Sequence, residues 1–180
     1  MATEHASLTD PELHEPKGVA AASSGQLYVA NGAGSGAWSY LPYGGLHYNN
    51  VGTGLTFTAP TSYTLINPTT TLVGTAKEFT QNSAGRLTYT GSETLDFRVH
   101  FDATIKHSSA SSVAVFFQIY KNGVAIGHEN VMAAASGAYR TISFESFIEL
   151  TYNDYVEVYL KTASGNAIVH SLTLNAEGKL

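Results

Sequence analysis

Seven histidines and a few paired carboxylates are the side chains of this 180-residue chain that could do chemistry. No two histidines have the i, i+4 spacing that presents zinc ligands from a helix. His100 and Asp102 share one face of a predicted strand beside Arg98, where a polar surface row is commoner than a metal site. Glu145 and Glu149 also share a strand face, which is ordinary for surface charges, although paired carboxylates can cleave sugars. With no Gly-x-Ser-x-Gly motif either, we predict no enzyme, catalytic residue, metal or cofactor.

The distribution of charged and apolar residues argues against some classes of binding partner. The formal net charge is −5, and the nine lysines and arginines are scattered along the chain. No basic cluster could neutralise a run of phosphates, so nucleic-acid binding is not expected. Met1–Glu15 is polar and acidic, unlike a secretory signal, and no stretch approaches the roughly 20 apolar residues needed to span a bilayer. The absence of cysteine excludes disulfides and thiolate metal sites.

Two consecutive segments organise the rest of the chain. Glu93–Lys106 alternates strictly between apolar and polar residues, which predicts a strand with one buried face. Ser112–Lys121 breaks this pattern because Ala114, Phe116 and Tyr120 add apolar residues to the second face. A strand that is apolar on both faces is buried on both faces. The second face therefore packs against another sheet or another subunit.

The remaining pattern predicts about eight to ten strands and no helix. Asn122-Gly123 is a strong hairpin-turn signal. Leu41–Asn50 is interpreted as a connector and Met132–Gly137 as a small-residue loop. His170 is expected to be a hydrogen-bonded core or axis residue. Together the strands predict an all-β, antiparallel jelly-roll sandwich.

The first fifty residues form a separate part of the prediction. Met1–Val19 is expected to be an extended arm, since its prolines and polar residues give neither a helix nor a core. The arm either folds back on its own domain or lies along another protein. Gln26–Ala30 and Ala37–Tyr40 are predicted to form a hairpin around the turn Asn31–Gly36. A lone hairpin is marginally stable, so its aromatic residues, Tyr28, Trp38 and Tyr40, are expected to pack on the main domain or on a neighbour.

From about Tyr63 to Leu174 the chain resembles the C1q/tumour-necrosis-factor head fold. The resemblance is carried by the alternating Leu95–Ile105 strand, by the segment Val115–Gly123 that ends in Asn-Gly, and by Asp154-Tyr155-Val156-Glu157-Val158. It implies a jelly roll that assembles as a homotrimer with aromatic side chains along the three-fold axis. The residues that it implies for the trimer interface are Phe116, Tyr120, Tyr155 and Tyr159.

The first forty residues resemble the openings of head-fibre, decoration and tail-fibre proteins of tailed bacteriophages. The segments that carry this resemblance are Asp10–Gly18 and Leu27–Trp38. It implies a virion protein whose residues 1–50 dock on the particle and whose residues 51–180 form the jelly-roll trimerisation domain. The implied anchor residues are His14, Glu15, Pro16, Lys17, Tyr28 and Trp38.

The predicted function is that of a structural virion protein, a homotrimeric capsid decoration or head fibre. Its expected partners are its own copies and the major capsid protein or another virion protein, and its expected location is the virion, assembled in the bacterial host cytoplasm. The alternative is a receptor-binding or carbohydrate-binding tip of a tail fibre. Host-surface glycans would then be contacted by exposed tyrosines and by the loops Asn82–Gly85, Ser108–Ser112 and Ala163–Asn166.

Overall fold

The computed structural model describes residues 21–30, 36–50, 52–58, 60–72, 76–81 and 85–179. They belong to two compact units, Met1–Leu41 and Pro42–Leu180. Over these residues the chain forms fourteen β-strands and no α-helix. A search of the same residues finds no helix with the length and apolar character needed to cross a membrane.

The first unit contains an antiparallel hairpin made of β1 (Gln26–Ala30) and β2 (Gly36–Tyr40). Both strands fall where the sequence predicts them. Most of the predicted turn, residues 31–35, lies outside the described residues, as does the predicted arm.

The second unit is a sandwich of two antiparallel six-stranded sheets. Its strands are β3 (Tyr43–Asn49), β4 (Leu55–Phe57), β5 (Thr64–Leu65), β6 (Thr71–Leu72), β7 (Phe79–Thr80), β8 (Leu87–Tyr89), β9 (Leu95–His107), β10 (Val113–Lys121), β11 (Val124–Ala134), β12 (Arg140–Leu150), β13 (Tyr155–Thr162) and β14 (Ala167–Lys179). The front sheet has the order β11-β10-β13-β8-β7, with β5 also paired to β13. The back sheet has the order β12-β9-β14-β3-β6, with β4 also paired to β14.

The core lies between the two sheets and follows the predicted alternation. In β9 the residues Phe97, Val99 and Phe101 are completely buried, whereas the residues between them face outward. Phe101 of the back sheet meets Phe117 of the front sheet with ring centroids 5.9 Å apart. The two predicted organising strands thus form the two halves of one core.

Two segments that were predicted to be loops contain strand residues in the structure. The predicted connector, residues 41–50, contains β3, which pairs with β14 and buries Leu46 completely. The two glycines of this strand, Gly44 and Gly45, make the segment resemble a loop in the sequence. The structure nevertheless leaves no room for a side chain at Gly44. A Cβ on Gly44 would lie 2.5 Å from the Cβ of Phe79. The predicted loop at residues 132–137 is also partly wrong, because β11 continues to Ala134.

The position of β3 also changes the domain boundary. Along the chain, the first unit ends at Leu41 and the second begins at Pro42. A division after residue 50, as the sequence suggested, would separate β3 from the sheet to which it belongs.

The Asn-Gly turn and the Asp-Tyr motif are tied together by side-chain hydrogen bonds. The Asn122 amide donates to Asp154 Oδ1 at 2.6 Å and accepts from the Tyr155 backbone N–H at 3.0 Å. Lys121 Nζ lies 2.9 Å from Asp154 Oδ2. Burial alone would raise the pKa of the Asp154 carboxyl, but hydrogen bonds from the Thr151 amide, Asn122 and Lys121 bring it below its usual value. These motif residues therefore join the ends of β10 and β13.

Candidate interaction surface

The outer face of the front sheet carries the four aromatic residues that were assigned to a trimer interface. Phe116 and Tyr120 project from β10, and Tyr155 and Tyr159 project from the adjacent β13. All four are half-buried in the isolated chain. The structure thus brings them onto one surface, which we call the aromatic face. Whether a second copy covers this face stays a prediction.

The rings on the aromatic face contact one another. Tyr120 and Tyr159 stack with their centroids 4.0 Å apart and an interplanar angle of 26°. Tyr63, immediately before β5, adds a third ring 6.1 Å from Tyr120. Tyr63 could not be assigned to this face from the sequence, because β5, which follows it, has only two residues and gives no periodicity. Contacts of this kind favour particular ring orientations.

One end of the aromatic face contains a buried ion pair. The side chain of Glu157, on β13 between Tyr155 and Tyr159, is only 1% exposed. Arg86 Nε and Nη2 each lie 2.8 Å from its Oε1, and the guanidinium lies 3.8 Å above the ring of Tyr155. Tyr159 also donates a hydrogen bond to Glu157 Oε2. The carboxylate is therefore neutralised inside the chain rather than left for a partner.

A second set of charges lies at the other end of the aromatic face. Lys161 Nζ is 2.8 Å from Glu129 Oε2, and the same oxygen accepts a hydrogen bond from the Tyr63 hydroxyl. The ammonium lies 4.5 Å from the ring centroid of Tyr63 and 4.9 Å from that of Phe116. These donors, Lys161 first, lower the pKa of Glu129. Here too each charge has a partner of opposite sign.

The surroundings of two tyrosine hydroxyls, those of Tyr63 and Tyr159, raise their pKa. Burial, followed by Glu129, raises the pKa of Tyr63. Burial, followed by Glu157, raises the pKa of Tyr159. These two hydroxyls are therefore neutral groups that donate hydrogen bonds to Glu129 and Glu157.

The hairpin brings together two of the six predicted anchor residues. Tyr28 and Trp38 are directly opposite each other on β1 and β2, with ring centroids 5.5 Å apart in an edge-to-face arrangement. The other four, His14, Glu15, Pro16 and Lys17, lie outside the described residues. A role of these six in docking stays a prediction.

The outer face of the back sheet carries two ion pairs. His100 Nε2 lies 2.6 Å from Asp102 Oδ2, and Arg98 Nε lies 2.7 Å from Glu145 Oε2. Of the residues the structure describes, no three histidines or carboxylates are placed to hold a metal ion. Glu145, considered above as half of a carboxylate pair, is instead the ion-pair partner of Arg98.

His170 differs from its prediction. It is buried, but neither ring nitrogen has a hydrogen-bond partner among the described residues. The register of β14 against β9 shifts between Val169 and Ser171, so His170 is the extra residue of a bulge. The ring meets Tyr139 edge-to-face, with centroids 4.8 Å apart. The strand alternation could not reveal this bulge.

Two of the loops considered for sugar binding are joined to each other. The Ser108 amide donates to the Asn166 carbonyl at 2.9 Å, and the Asn166 amide donates to Ser108 Oγ at 2.9 Å. The third loop, residues 82–85, is described only at Gly85. The loops at Ser108 and Asn166 are thus held together by two hydrogen bonds.

Comparison with known proteins identifies the fold. No family model matches the chain, and no curated protein matches it in sequence. Among solved structures it is similar to the PRD1 vertex protein P5, with a TM-score of 0.53 and 15% identity over 78% of this chain and 97% of that one. It is also similar to the globular domain of zebrafish complement 1qA protein, with a TM-score of 0.50 and 10% identity over 78% of this chain and 97% of that one. The chain has the predicted all-β, C1q/TNF-like jelly-roll fold.

Proposed function

We propose that this chain is a structural virion protein, a homotrimeric capsid decoration or head fibre that docks through its N-terminal region. Its partners would be two further copies of itself and the major capsid protein or another virion protein. The similarity in fold to a protein named as a vertex protein supports a place on a particle. In this proposal the chain has no catalytic residue and needs no cofactor.

The aromatic face is the observation that carries the proposal. Half-buried aromatic residues on an outer sheet face are what an interface core is made of. Since Glu157 and Glu129 are already paired with Arg86 and Lys161, covering the face would leave neither carboxylate without a cation. An uncompensated buried charge would oppose association. We therefore assign the trimer contact to Phe116, Tyr120, Tyr155 and Tyr159.

Trimerisation would also explain how a small anchor could hold the protein on a shell. Three attachments on one trimer act together, because after the first has bound the others have a high effective concentration. The hairpin that carries Tyr28 and Trp38 is small, so a single copy would bind weakly. Avidity of this kind needs no further contact with the shell.

The test of self-association uses one phenylalanine from each sheet. Phe116→Glu places a carboxylate on the aromatic face next to Lys161. In a monomer this carboxylate is exposed to water and close to an ammonium group, so the fold should tolerate it. The matched control is Phe147→Glu on the back sheet, since Phe147 also lies under an ammonium, that of Lys179 at 4.0 Å. Light scattering during size-exclusion chromatography should show a trimer for the native chain and the control, and a monomer for Phe116→Glu.

Other outcomes of this experiment would contradict the assignment. If Phe147→Glu dissociates the protein and Phe116→Glu does not, the contact lies on the back sheet. If the native chain is a monomer at every concentration, the proposed trimer is wrong.

The anchoring proposal is tested separately. A chain without residues 1–20 should remain trimeric but fail to bind particles that lack the protein. The double variant Tyr28→Ala/Trp38→Ala keeps the arm and removes the aromatic pair of the hairpin. Co-sedimentation with particles measures both, and unchanged binding of the two variants would refute docking through this region.

A carbohydrate-binding tip of a tail fibre is the second candidate. It is favoured by the joined polar loops that contain Ser108 and Asn166. A glycan array with the trimer distinguishes the two functions, since binding that is lost on changing these loops would favour the fibre tip.

A further inference from the structure

A cleft opens on one flank of the sandwich, where the outermost strands of the two sheets face each other. These strands are β11 of the front sheet and β12 of the back sheet. The cleft has a volume of about 110 Å³. Its lining comes from β10, β11 and β12 and consists of Ile119, Ile126, Gly127, His128, Asn130, Phe144, Glu145 and Ser146.

A bulge in β11 opens the cleft from one side. Phe117 of β10 pairs with Asn130, but Ile119, two residues further on, pairs with Ile126. Three residues of β11, from Gly127 to Glu129, are therefore accommodated opposite one residue of β10. Gly127 has a φ of 68°, which favours glycine over other residues. The strand bends here and leaves the flank open.

A serine in an otherwise apolar row opens the cleft from the other side. The inward positions of β12 are Ile142, Phe144, Ser146, Ile148 and Leu150. Ser146 is the only polar member of this row. A Cβ on Gly127 would lie 3.1 Å from the Ser146 hydroxyl oxygen, so the two small residues face each other. A larger apolar residue at position 146 would extend the core and close the cleft.

The lining combines an apolar floor with a polar rim. Ile119, Ile126 and Phe144 form the floor, and Phe144 is held by Phe101 at a centroid distance of 5.2 Å. Within the described chain, neither the His128 ring nor the Ser146 hydroxyl has a side-chain hydrogen-bond partner. The outer backbone edges of β11 and β12 also lack a strand partner among the described residues. The cleft thus offers an apolar surface surrounded by hydrogen-bonding groups.

We propose that this cleft binds one uncharged sugar ring, a hexose or an N-acetylhexosamine. The volume is well below the roughly 300–1,000 Å³ of pockets for drug-sized ligands, so the occupant is a single ring. Glu145 is paired with Arg98, which leaves no uncompensated charge to select an anion or a cation. The C–H face of a sugar packs on Ile126 and Phe144, and its hydroxyl groups bond to the rim. The inference depends neither on the virion role nor on trimerisation.

The polar rim favours a sugar over a side chain of another protein. An apolar side chain seated in the cleft would leave the rim groups, such as the His128 ring and the Ser146 hydroxyl, without a partner while covering them from water. A sugar can bond to these groups and cover the apolar floor at the same time.

The experiment is saturation-transfer NMR on the full chain with four probes: D-glucose, D-galactose, D-mannose and N-acetyl-D-glucosamine. At least one should receive transfer and bind with millimolar affinity. Ser146→Val fills the cleft and should weaken this binding at least tenfold while raising the melting temperature, because it completes the apolar row. Ser143→Val lies on the same strand but points to the outer face, and it should bind the sugar like the native chain.

A measurement without any variant complements the test. The native chain is titrated with the sugar that received transfer, and its amide resonances are recorded. Those of residues 126–130 and 144–146 should shift, whereas those of the hydrogen-bonded loops at Ser108 and Asn166 should not. Shifts at those loops instead, or equal binding by Ser146→Val and the native chain, would overturn the proposal. So would the absence of transfer to all four sugars at about 10 mM, a concentration sufficient for millimolar ligands. If Ser146→Val changes only the oligomeric state, the cleft belongs to a contact between copies, and the sugar proposal is wrong.

Discussion

Replacement of Arg86 by alanine should destabilise the chain far more than replacement of Arg98. Arg86 is 32% exposed and its partner Glu157 is 1% exposed, so Arg86→Ala leaves a carboxylate buried without a cation. Breaking a fully buried pair costs about 3–5 kcal/mol. Because Arg86 is partly solvated, we expect about 2–3 kcal/mol from the pair, and the lost cation–π contact with Tyr155 adds up to about 1 kcal/mol.

Arg98 provides the matched control. It makes the same kind of ion pair with Glu145 at 2.7 Å, but the two side chains are 47% and 45% exposed. An exposed pair contributes about 0–1 kcal/mol. Since 1 kcal/mol shifts the melting temperature of a chain of this size by roughly 2–4 °C, the total of about 2–4 kcal/mol for Arg86→Ala should lower it by roughly 4–16 °C, and Arg98→Ala should lower it by roughly 0–4 °C.

Thermal unfolding followed by circular dichroism at neutral pH and equal protein concentration measures both shifts. The double variant Arg86→Ala/Glu157→Gln should recover part of the loss, because it removes the unpaired charge. Equal shifts for the two single variants would show that the burial of Glu157 does not determine the strength of the pair.

Two further predictions concern the framework of the sandwich. Asn122→Ala should lower the free energy of unfolding by about 1–3 kcal/mol in urea denaturation, because it leaves the buried Asp154 carboxylate with one hydrogen bond fewer. As the pKa of Asp154 is lowered by folding, its contribution is present above its unfolded pKa of about 3.9 and is lost as the pH falls through the folded value. The native chain should therefore lose stability in acid more steeply than Asn122→Ala, and parallel pH profiles would contradict this. Gly85→Ala should yield little soluble protein, since φ is 74° and the new Cβ would lie 2.2 Å from the Ile66 carbonyl oxygen. Gly137→Ala, whose Cβ would meet no atom within 4 Å, should express normally, and equal yields would refute the steric argument.

The sequence predicted the fold wherever side-chain alternation was long and uninterrupted. β9 was recognised because its buried and outward residues differ in polarity over thirteen positions, and β10 because one of its faces is continuously apolar and an Asn-Gly turn follows it. β3 was missed because its two glycines resemble those of a loop, although the close approach of Phe79 requires Gly44 and that of Asn175 requires Gly45. The bulge at His170 was missed because an inserted residue leaves no mark on a pattern of single residues.

Only the residues of the candidate surface that lie within recognised sequence segments could be predicted. Tyr120 and Tyr159 could be grouped through the family resemblance, which is carried by motifs in their own segments. The groups that complete the aromatic face come from distant positions, since Tyr63 reaches Glu129 across 66 residues and Arg86 reaches Glu157 across 71. Side-chain contacts between such distant residues depend on the order of the strands in the sheet, and no short sequence motif encodes that order.

The order of the back sheet has a consequence for biosynthesis. β14, the last strand of the sandwich, lies between β9 and β3 rather than at an edge. While the ribosome has yet to release this segment, β9 and β3 have no shared neighbour and expose open edges that can pair with other nascent chains. A product that terminates before β14 lacks a central strand of this sheet and is open to proteases. The complete back sheet can therefore form only after β14 has been synthesised.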